Sequence, residues 1–315
     1  MAGVGVDFTE EEDQFVVSLT SSYASLDQRG LASYAASRRN GKDYDYLSSC
    51  CNVGSCYGGG SSPFEELVGA EQAFDPRECE SRDDRFTNIV AFPKSSLWRN
   101  LNASTILPRV VATQWPTEST AGRLLHECLQ NRASVIIALG HVPEDRADPI
   151  GGVKYWEPRS YPDYNLEVTT SEVFQDKEVG RALQHRDLLL NGQHTVRLIR
   201  MSGWEDFSGA DPHTFHVVQK LATIIRACQR EDKLCVVHCR AGVGRTGTLA
   251  MIAAGWDQLQ REKALCPQEL FVRLRLRRCM AVQTRDQYRM VAQFLSDVDA
   301  SAPVPPLSEL LFHPK

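Results

Sequence analysis

Hydrophobic periodicity predicts three regular elements in the second half of the chain. Residues 234–237 are apolar and rich in β-branched side chains, which is typical of a short buried strand in a parallel sheet. Apolar side chains recur every three or four residues over 248–260, so this stretch predicts a helix. Apolar and polar positions alternate over 195–199, which predicts a strand. Residues 238–247 therefore form a loop between a strand and a helix.

This loop contains an unusual number of glycines, at Gly242, Gly244 and Gly247. Glycine permits backbone angles that let successive N–H groups point toward one anion. The helix that follows the loop presents its positive N-terminal end at the same place. We interpret the loop as a cradle for a phosphate group.

Two side chains of the loop are suited to phosphoryl transfer. Cys239 stands at the start of the loop, where the amides and Arg245 favour its thiolate. Comparable surroundings lower a cysteine pKa from about 8.5 to roughly 3.5–7.5, so we expect a nucleophile at neutral pH. Arg245 can bind two phosphoryl oxygens with its planar guanidinium, and this contact strengthens as charge builds in the transition state. The alternative, a buried structural cysteine before a glycine turn, leaves Arg245 unexplained.

Composition agrees with a globular protein and excludes little else. The 315 residues, 42% hydrophobic and 24% charged, suit one large domain with a modest extension. The chain has no run of about eighteen apolar residues, and its acidic positions 10–13 differ from the basic start of a signal peptide. We therefore expect a soluble cytoplasmic protein. Ten irregularly spaced cysteines, together with the thiol required at Cys239, favour a reducing compartment over disulfides.

The net charge of −5 does not exclude an anionic substrate, because the local field around a site matters more than the total charge. Positive charge is concentrated in one short stretch of the chain, at Arg273, Arg275, Arg277 and Arg278. We expect this stretch to contribute to the field that attracts phosphate.

The chain divides into three parts. Residues 1–70 form a Ser- and Gly-rich extension, in which apolar residues at positions 15, 19, 23 and 26 predict one short helix. This helix packs on the main domain or, alternatively, serves secretion or partner docking. Cysteines at positions 50, 51 and 56 lack further ligands at metal-binding spacing, so we expect free thiols there. Residues 71–300 form the main domain, and residues 301–315 form a Pro-rich, extended tail.

The loop also resembles the signature of a known enzyme family, the cysteine-dependent protein tyrosine phosphatases. The family pattern His-Cys-x-x-Gly-x-x-Arg-Ser/Thr-Gly is matched here by His238, Cys239, Gly242, Arg245, Thr246 and Gly247. The resemblance extends over residues 75–298, so the main domain is identified as the catalytic domain of a tyrosine-specific phosphatase. It implies an α/β fold: a twisted mixed sheet with parallel central strands, flanked by helices on both faces, with the site at the carboxyl ends of the strands.

Further segments resemble the substrate-binding and scaffold parts of the family. Residues 84–89 are similar to its Asn-Arg-Tyr-x-Asn-Ile segment, which implies that Phe86 lines a slot for the phosphotyrosine ring and that Asn88 assists. Within the loop, the resemblance assigns phosphate binding to Arg240, Ala241, Gly242, Val243 and Gly244. Residues 102–104 and 112–116 resemble scaffold segments, although Trp115 stands where glycine is usual.

Residues 153–156 resemble the Tyr-Trp strand of the family. Two acidic residues that precede this segment, Glu144 and Asp145, are candidates to orient Arg245. The resemblance therefore extends to the surroundings of the loop as well as to the loop itself.

A general acid is the second chemical requirement, because a phenolate leaves poorly unless it receives a proton. Residues 203–206 are similar to the Trp-Pro-Asp loop of the family, which makes Asp206 the expected acid and, later, the base. Glu205 replaces the usual proline, and Pro212 comes two residues late, so we expect altered closure of this loop. Asp211 is the alternative acid.

Residues 280–288 closely resemble the Gln-Thr-x-x-Gln-Tyr segment of the family. The resemblance implies that Gln283 positions the hydrolytic water through its amide and that Gln287 supports it. In the loop, His238 is expected to orient the thiolate through the backbone, and Thr246 to donate a hydrogen bond to the sulfur of Cys239.

Taken together, the resemblance implies hydrolysis of phosphotyrosine in proteins through a phosphocysteine intermediate, by a monomer that needs no metal or cofactor and binds neither nucleic acid nor membrane. A phosphatase of inositol phosphates, or one of dual specificity, is an alternative. An inactive phosphotyrosine-binding module is an alternative of another class, as is a protein whose main activity lies in residues 1–70. The departures at Trp115 and Glu205 are similar to those of bacterial effector phosphatases, which act in the cytosol of a host cell.

Overall fold

The structure is a computed structural model and describes residues 101–140, 152–205 and 212–311. Six earlier positions are also described: Arg85, Phe86, Ile89, Ala91, Leu97 and Trp98. The strands in these residues are β1 (Ala103–Leu107), β2 (Val110–Gln114), β3 (Val135–Leu139), β4 (Arg159–Tyr161), β5 (Leu166–Thr170), β6 (Phe174–Asp176), β7 (Gly180–Leu190), β8 (His194–Met201) and β9 (Cys235–Cys239). The helices are α1 (Ala121–Gln130), α2 (Pro212–Arg230), α3 (Gly244–Glu262), α4 (Pro267–Arg277), α5 (Arg285–Asp297) and α6 (Leu307–Leu310).

All of these strands belong to one mixed sheet, in the order β1-β2-β9-β3-β8-β7-β5-β4, with β6 beside β7. The four central strands β2, β9, β3 and β8 are parallel, and the outer pairs are antiparallel. In the centre, Val236 of β9 lies opposite Val111 of β2 and Ile136 of β3. Strands β2, β3 and β9 are completely buried because both of their faces are covered by helices or loops.

The core accordingly has two halves, one on each face of the sheet. Ile137 and Val237 point toward α2, α3 and α5, whereas Ile136 and Val236 point toward α1. Helix α1 buries residues at a spacing of three and four, which places one apolar stripe against the sheet. The expected α/β fold, with parallel central strands and helices on both faces, is confirmed.

The local predictions from periodicity are largely confirmed. The strand expected at 234–237 is β9, which continues to Cys239, and the strand expected at 195–199 lies within β8. The helix expected at 248–260 lies within α3, which begins four residues earlier because the loop closes directly into its first turn.

The strand expected at 153–156 is wrong, because the structure has irregular chain and a turn there. Successive side chains of a strand point to opposite faces. Tyr155 and Trp156 are instead both buried in the half of the core that contains α1. A turn allows two neighbouring aromatic rings to enter the same core.

The tail is extended only in part. Residues 302–306 have no regular structure, but α6 follows them and docks on the core, with Leu307 buried. The backbone N–H of Leu307 donates to Glu231 at 2.6 Å, and Arg197 donates to the carbonyl of Leu311 at 2.7 Å. The described part of the tail is therefore packed against the rest of the fold.

Residues 1–70, with their expected helix and cysteines, lie outside the described residues, so the domain boundaries stay predictions. Among the helices that the structure describes, no helix combines the length and apolar character needed to cross a membrane.

A buried ion cluster ties the hairpin of β6 and β7 to α2. Asp176 accepts hydrogen bonds from His185 Nε2 at 3.1 Å and from Lys220 Nζ at 2.9 Å, as well as from the N–H groups of Glu178 and Val179. Burial alone would raise the pKa of Asp176, but these donors outweigh it and hold that pKa well below its ordinary value. The carboxylate is therefore charged in the folded protein.

We expect Asp176→Asn to lower the free energy of unfolding by about 2–4 kcal/mol at pH 7, because Lys220 would lose its buried counter-charge. The depressed folded-state pKa of Asp176 stabilises the fold fully above the unfolded-state pKa of about 3.9. This stabilisation is lost progressively as the pH falls from there toward the folded-state pKa. Denaturant unfolding at pH 7 and pH 3 should show a smaller deficit of the variant at pH 3, where the unfolded carboxylate is mostly protonated and the folded one is still charged. As a control, Asp286→Asn at the exposed pair with Arg289 should change stability by less than about 0.5 kcal/mol. A deficit that is equal at both pH values would contradict this role for Asp176.

Candidate active site

The glycine-rich loop lies where the sequence predicts it, between the carboxyl end of β9 and the first turn of α3. Cys239 ends the strand and is almost fully buried. Gly242 has a φ of 72°, and a Cβ there would lie 2.1 Å from the carbonyl oxygen of Thr113, so only glycine fits. The loop thus curls tightly against the end of β2.

The carbonyl groups of three successive loop residues are held by donors outside the loop. The carbonyl of Arg240 accepts from the N–H of Trp115 at 3.1 Å. The carbonyls of Ala241 and Gly242 accept from the guanidinium of Arg278 at 3.1 and 3.2 Å. In a trans peptide, the N–H points opposite to the carbonyl of the same peptide unit. The N–H groups of the next three residues therefore face the concave side of the loop.

Arg278 is a functional residue whose individual role the sequence analysis missed. Its side chain is completely buried, and besides the two loop carbonyls it binds the carbonyl of Asn102 at 2.9 Å and the hydroxyl of Ser104 at 3.2 Å. It therefore fastens the loop to the start of β1. In the sequence, Arg278 stands out only as one of four clustered arginines. Its role could not be predicted, because most of its partners are backbone carbonyls, which every residue has.

Arg275 has a similar role one helical turn earlier. Its guanidinium donates to the carbonyls of Ala281 and Val282 at 2.7 and 2.8 Å. The N–H of Val282 in turn donates to the carbonyl of Val243 in the loop at 3.1 Å. Val282 has a φ of 60°, a left-handed conformation that is unfavourable for a β-branched residue. Two of the four arginines thus hold backbone around the site.

Arg245 lies in the first turn of α3 and is buried beside the loop. Its Nη1 donates to the carbonyl of Trp204 at 2.8 Å, at the start of the segment that carries Glu205. Gly140 at the end of β3 makes room for this guanidinium, since a Cβ there would lie 2.3 Å from Nη1. The structure therefore brings together Arg245, Cys239 and the beginning of the predicted acid loop.

His238 is fully buried between two aromatic rings. Its Nε2 lies 2.7 Å from the hydroxyl of Tyr155, and its ring centroid lies 4.7 Å from that of Trp115 at 88°. Burial, reinforced by nearby arginines, lowers the pKa of His238 to about 3, while burial raises that of Tyr155. The imidazole is therefore neutral at physiological pH, and its Nε2 shares one hydrogen bond with the hydroxyl of Tyr155.

The two predicted glutamines lie over the loop. Gln287 is fully buried, and its Oε1 accepts from the N–H groups of Gln283 and Thr284 at 2.8 and 3.2 Å. Thr284 caps α5 by accepting from the N–H of Gln287, which completes a capping box. The side-chain amides of both glutamines come within 3.0 Å of the position that a Cβ on Gly244 would occupy. The cap of α5 thus fixes Gln283 beside the loop.

Phe86 also lies at the loop, as predicted. Its ring centroid is 5.9 Å from the guanidinium carbon of Arg240, which is exposed. The preceding Arg85 is buried and anchored by its N–H to Gln114 Oε1 at 2.8 Å and by Nη1 to the carbonyl of Trp115 at 3.2 Å. These bonds hold the aromatic ring at one side of the cradle.

The remaining predicted residues divide into two groups. The hydroxyl of Thr246 is buried without a hydrogen-bond partner among the residues that the structure describes, so the expected bond to the Cys239 sulfur is not formed in this structure. Five other candidates lie outside the described residues: Asn88, Glu144, Asp145, Asp206 and Asp211. The identity of the general acid and the partner suggested for Arg245 therefore stay predictions.

Comparison with known proteins gives a direct result. The family model described as "Protein-tyrosine phosphatase" matches residues 88–297, which cover most of the chain and all of the site described above except Phe86 and its anchor. The chain belongs to the protein-tyrosine phosphatase family. Its nucleophile loop, glutamine segment and mixed sheet are thus parts of a protein-tyrosine phosphatase domain.

Relatives of this phosphatase domain include animal and viral proteins. Receptor-type tyrosine-protein phosphatase alpha of Homo sapiens is 26% identical over 246 residues, which are 70% of this chain and 30% of that protein. Tyrosine phosphatase H3 of Microplitis demolitor bracovirus is 26% identical over 57% of this chain and 58% of its own length. Tyrosine-protein phosphatase 1 of Caenorhabditis elegans is 25% identical over 66% of this chain and 20% of its own length. The chain spans less than two thirds of each of these relatives, and the similarity to bacterial effectors stays a prediction.

We expect Arg278→Lys to weaken the binding of tungstate, an inert oxyanion shaped like phosphate, by about tenfold or more. A lysine ammonium cannot reproduce the planar fork that serves the loop carbonyls together with Asn102. Isothermal titration calorimetry at neutral pH measures the effect.

A matched control is Arg226→Lys, because Arg226 is equally buried but belongs to α2 and packs on the ring of Trp256, away from the loop. This variant should bind tungstate like wild type even if it loses stability. Equal affinities for Arg278→Lys and wild type would contradict the role given to Arg278.

Proposed function

We propose that this chain hydrolyses phosphotyrosine in proteins by two successive in-line displacements at Cys239. The observation that carries the proposal is the outward anchoring of the loop carbonyls, which turns three N–H groups toward the concave side beside Cys239 and Arg245. Membership in the protein-tyrosine phosphatase family supports the same reaction. The activity and the substrates of the whole protein are part of this proposal.

In the first step, the thiolate of Cys239 attacks phosphorus while the amides and Arg245 bind the other phosphoryl oxygens. These donors are fixed before the substrate arrives, so they stabilise the charge of the transition state without reorganising. Phe86, held beside Arg240, stacks on the tyrosine ring. A carboxylic acid, proposed as Asp206, protonates the phenolic oxygen as the P–O bond breaks.

In the second step, water attacks the phosphocysteine and releases phosphate, and the Cys239 sulfur leaves as a thiolate. Gln283 is proposed to hold this water, and its support by the buried Gln287 fits that role. Asp206 now accepts the proton of the water, and Thr246 donates to the departing sulfur. His238 stays neutral and contributes orientation rather than proton transfer.

We also propose that the protein acts in a reducing compartment, and the state of the described cysteines supports this. The described cysteines other than the nucleophile, at positions 128, 228, 235, 266 and 279, are all buried and free. Burial raises the pKa of Cys128, and a hydrogen bond with Cys228, together with burial, raises that of Cys235, so neither competes with Cys239 as a nucleophile.

We expect Cys239→Ser to lower turnover of a phosphotyrosine peptide by at least about 1,000-fold, and Arg245→Lys by about 100-fold. Steady-state phosphate release measures both, and Cys266→Ser, a change at another buried thiol, is the control with wild-type rates. Wild-type turnover of the peptide should exceed that of phosphoserine peptide and of inositol hexakisphosphate. Retained activity in Cys239→Ser, or preference for the inositol phosphate, would contradict the proposal.

We expect Asp206→Asn to lower kcat for an aryl phosphate with a poor leaving group by about 100-fold or more, whereas Asp211→Asn leaves it nearly unchanged. The effect should shrink for a good leaving group, which needs no proton. The dependence of kcat on leaving-group pKa in both variants is the measurement. If only Asp211→Asn shows the loss, Asp211 is the acid.

A further inference from the structure

We propose that Trp115 is a positioning residue for the nucleophile: its indole holds the imidazole of His238 and the Tyr155 segment in place, and through them the loop that begins at Cys239. The inference rests on the proposed function, because it assigns a role within the same site. Trp115 stands directly after β2 and is almost completely buried.

The indole of Trp115 is in direct contact with His238. The two ring centroids are 4.7 Å apart at an interplanar angle of 88°, an edge-to-face arrangement that is favourable for aromatic rings. Trp156 packs against the same indole at 6.0 Å and 72°. One side of the His238 imidazole is therefore packed against Trp115. His238 is the residue directly before the nucleophile, Cys239.

A second path leads through Tyr155. The indole Nε1 of Trp115 donates to the carbonyl of Val153 at 3.1 Å, and the N–H of Val153 donates to the carbonyl of Pro116 at 3.2 Å. These two bonds fix the start of the turn that carries Tyr155. The hydroxyl of Tyr155 lies 2.7 Å from Nε2 of His238. The imidazole of His238 is thus held directly by the indole of Trp115 and indirectly by the hydroxyl of Tyr155, whose turn Trp115 fixes.

The backbone of Trp115 joins two further parts of the site. Its N–H donates to the carbonyl of Arg240, and its carbonyl accepts from Nη1 of Arg85, next to the aromatic ring of Phe86. These bonds survive any side-chain change except one to proline. Replacing the indole therefore tests its contacts with His238 and Val153 separately from the backbone contacts.

The structure offers a closely matched control in Trp256. This tryptophan is also buried and also donates its indole N–H to a backbone carbonyl, that of Asp299 at 3.2 Å. It lies twelve residues into α3 from the loop, or about 18 Å along the helix. A substitution at Trp256 should remove as much buried packing as the same substitution at Trp115. It should not affect the loop that begins at Cys239.

The experiment compares Trp115→Leu and Trp115→Phe with Trp256→Leu and Trp256→Phe. The first readout is the pH at which alkylation of Cys239 by iodoacetamide reaches half of its maximal rate, followed by mass spectrometry. The second readout is kcat/KM for an aryl phosphate. Thermal unfolding shows at which temperature each variant is folded.

We expect Trp115→Leu to raise the alkylation midpoint by at least about half a pH unit and to lower kcat/KM about tenfold. Both effects follow because a loosened imidazole and turn no longer hold the loop amides on the thiolate. Trp115→Phe keeps a ring against His238 and should recover most of both effects. The Trp256 variants should leave the midpoint unchanged.

Three results would overturn the inference: a midpoint for Trp115→Leu that is unchanged or lowered, a shift of equal size in Trp256→Leu, or no recovery with Trp115→Phe. If Trp115→Leu does not fold, Trp115→Met, whose flexible side chain adapts to an irregular core space, is combined with Tyr155→Phe instead. Their effects on the midpoint should be non-additive, because both act through His238, and additive effects would overturn the inference. Because alkylation needs no turnover, a wild-type protein that fails to hydrolyse aryl phosphate would refute the proposed function and leave this test intact.

Discussion

The site depends on one constraint, the outward anchoring of three successive carbonyls by Trp115 and Arg278. Without partners, those carbonyls would be free to turn inward and repel the anion that the loop is suited to bind. With partners, the N–H groups converge on the concave side at no cost when the substrate arrives. The sheet matters for the same reason, because the parallel pairing of β2 with β9 brings the Trp115 backbone beside the loop.

The charges around Cys239 are divided between structure and chemistry. Arg278 is completely buried, and its guanidinium donates hydrogen bonds to carbonyl and hydroxyl oxygens. It therefore holds the loop on the side away from the concave face. Arg245 lies in the first turn of α3 and is the guanidinium that we propose binds the phosphoryl group directly. His238 carries no charge, since burial keeps it neutral. The field at the thiol therefore comes from fixed cations and dipoles and changes little over the physiological pH range.

The sequence was informative where chemistry and periodicity are local. The pairing of Cys239 with Arg245 lies within one loop, and β9 and α3 follow from short apolar patterns, so all were predictable. Arg278 was not, because its partner Asn102 is 176 residues away and offers only a backbone oxygen. The turn at Tyr155 was missed for a related reason: only the tertiary packing shows that both neighbouring rings enter one core. Trp115 was visible as a departure from glycine, but its contacts were not.

Val282 shows how far this fold accepts local strain next to its chemistry. A left-handed conformation costs a β-branched residue on the order of 1–3 kcal/mol, which glycine or asparagine would largely avoid. The carbonyl bond from Arg275 and the contact with Val243 hold the residue in that conformation, directly before Gln283. Val282 thus holds strain immediately beside the chemistry, and the hydrogen bonds that offset this strain also fix the backbone from which Gln283 projects.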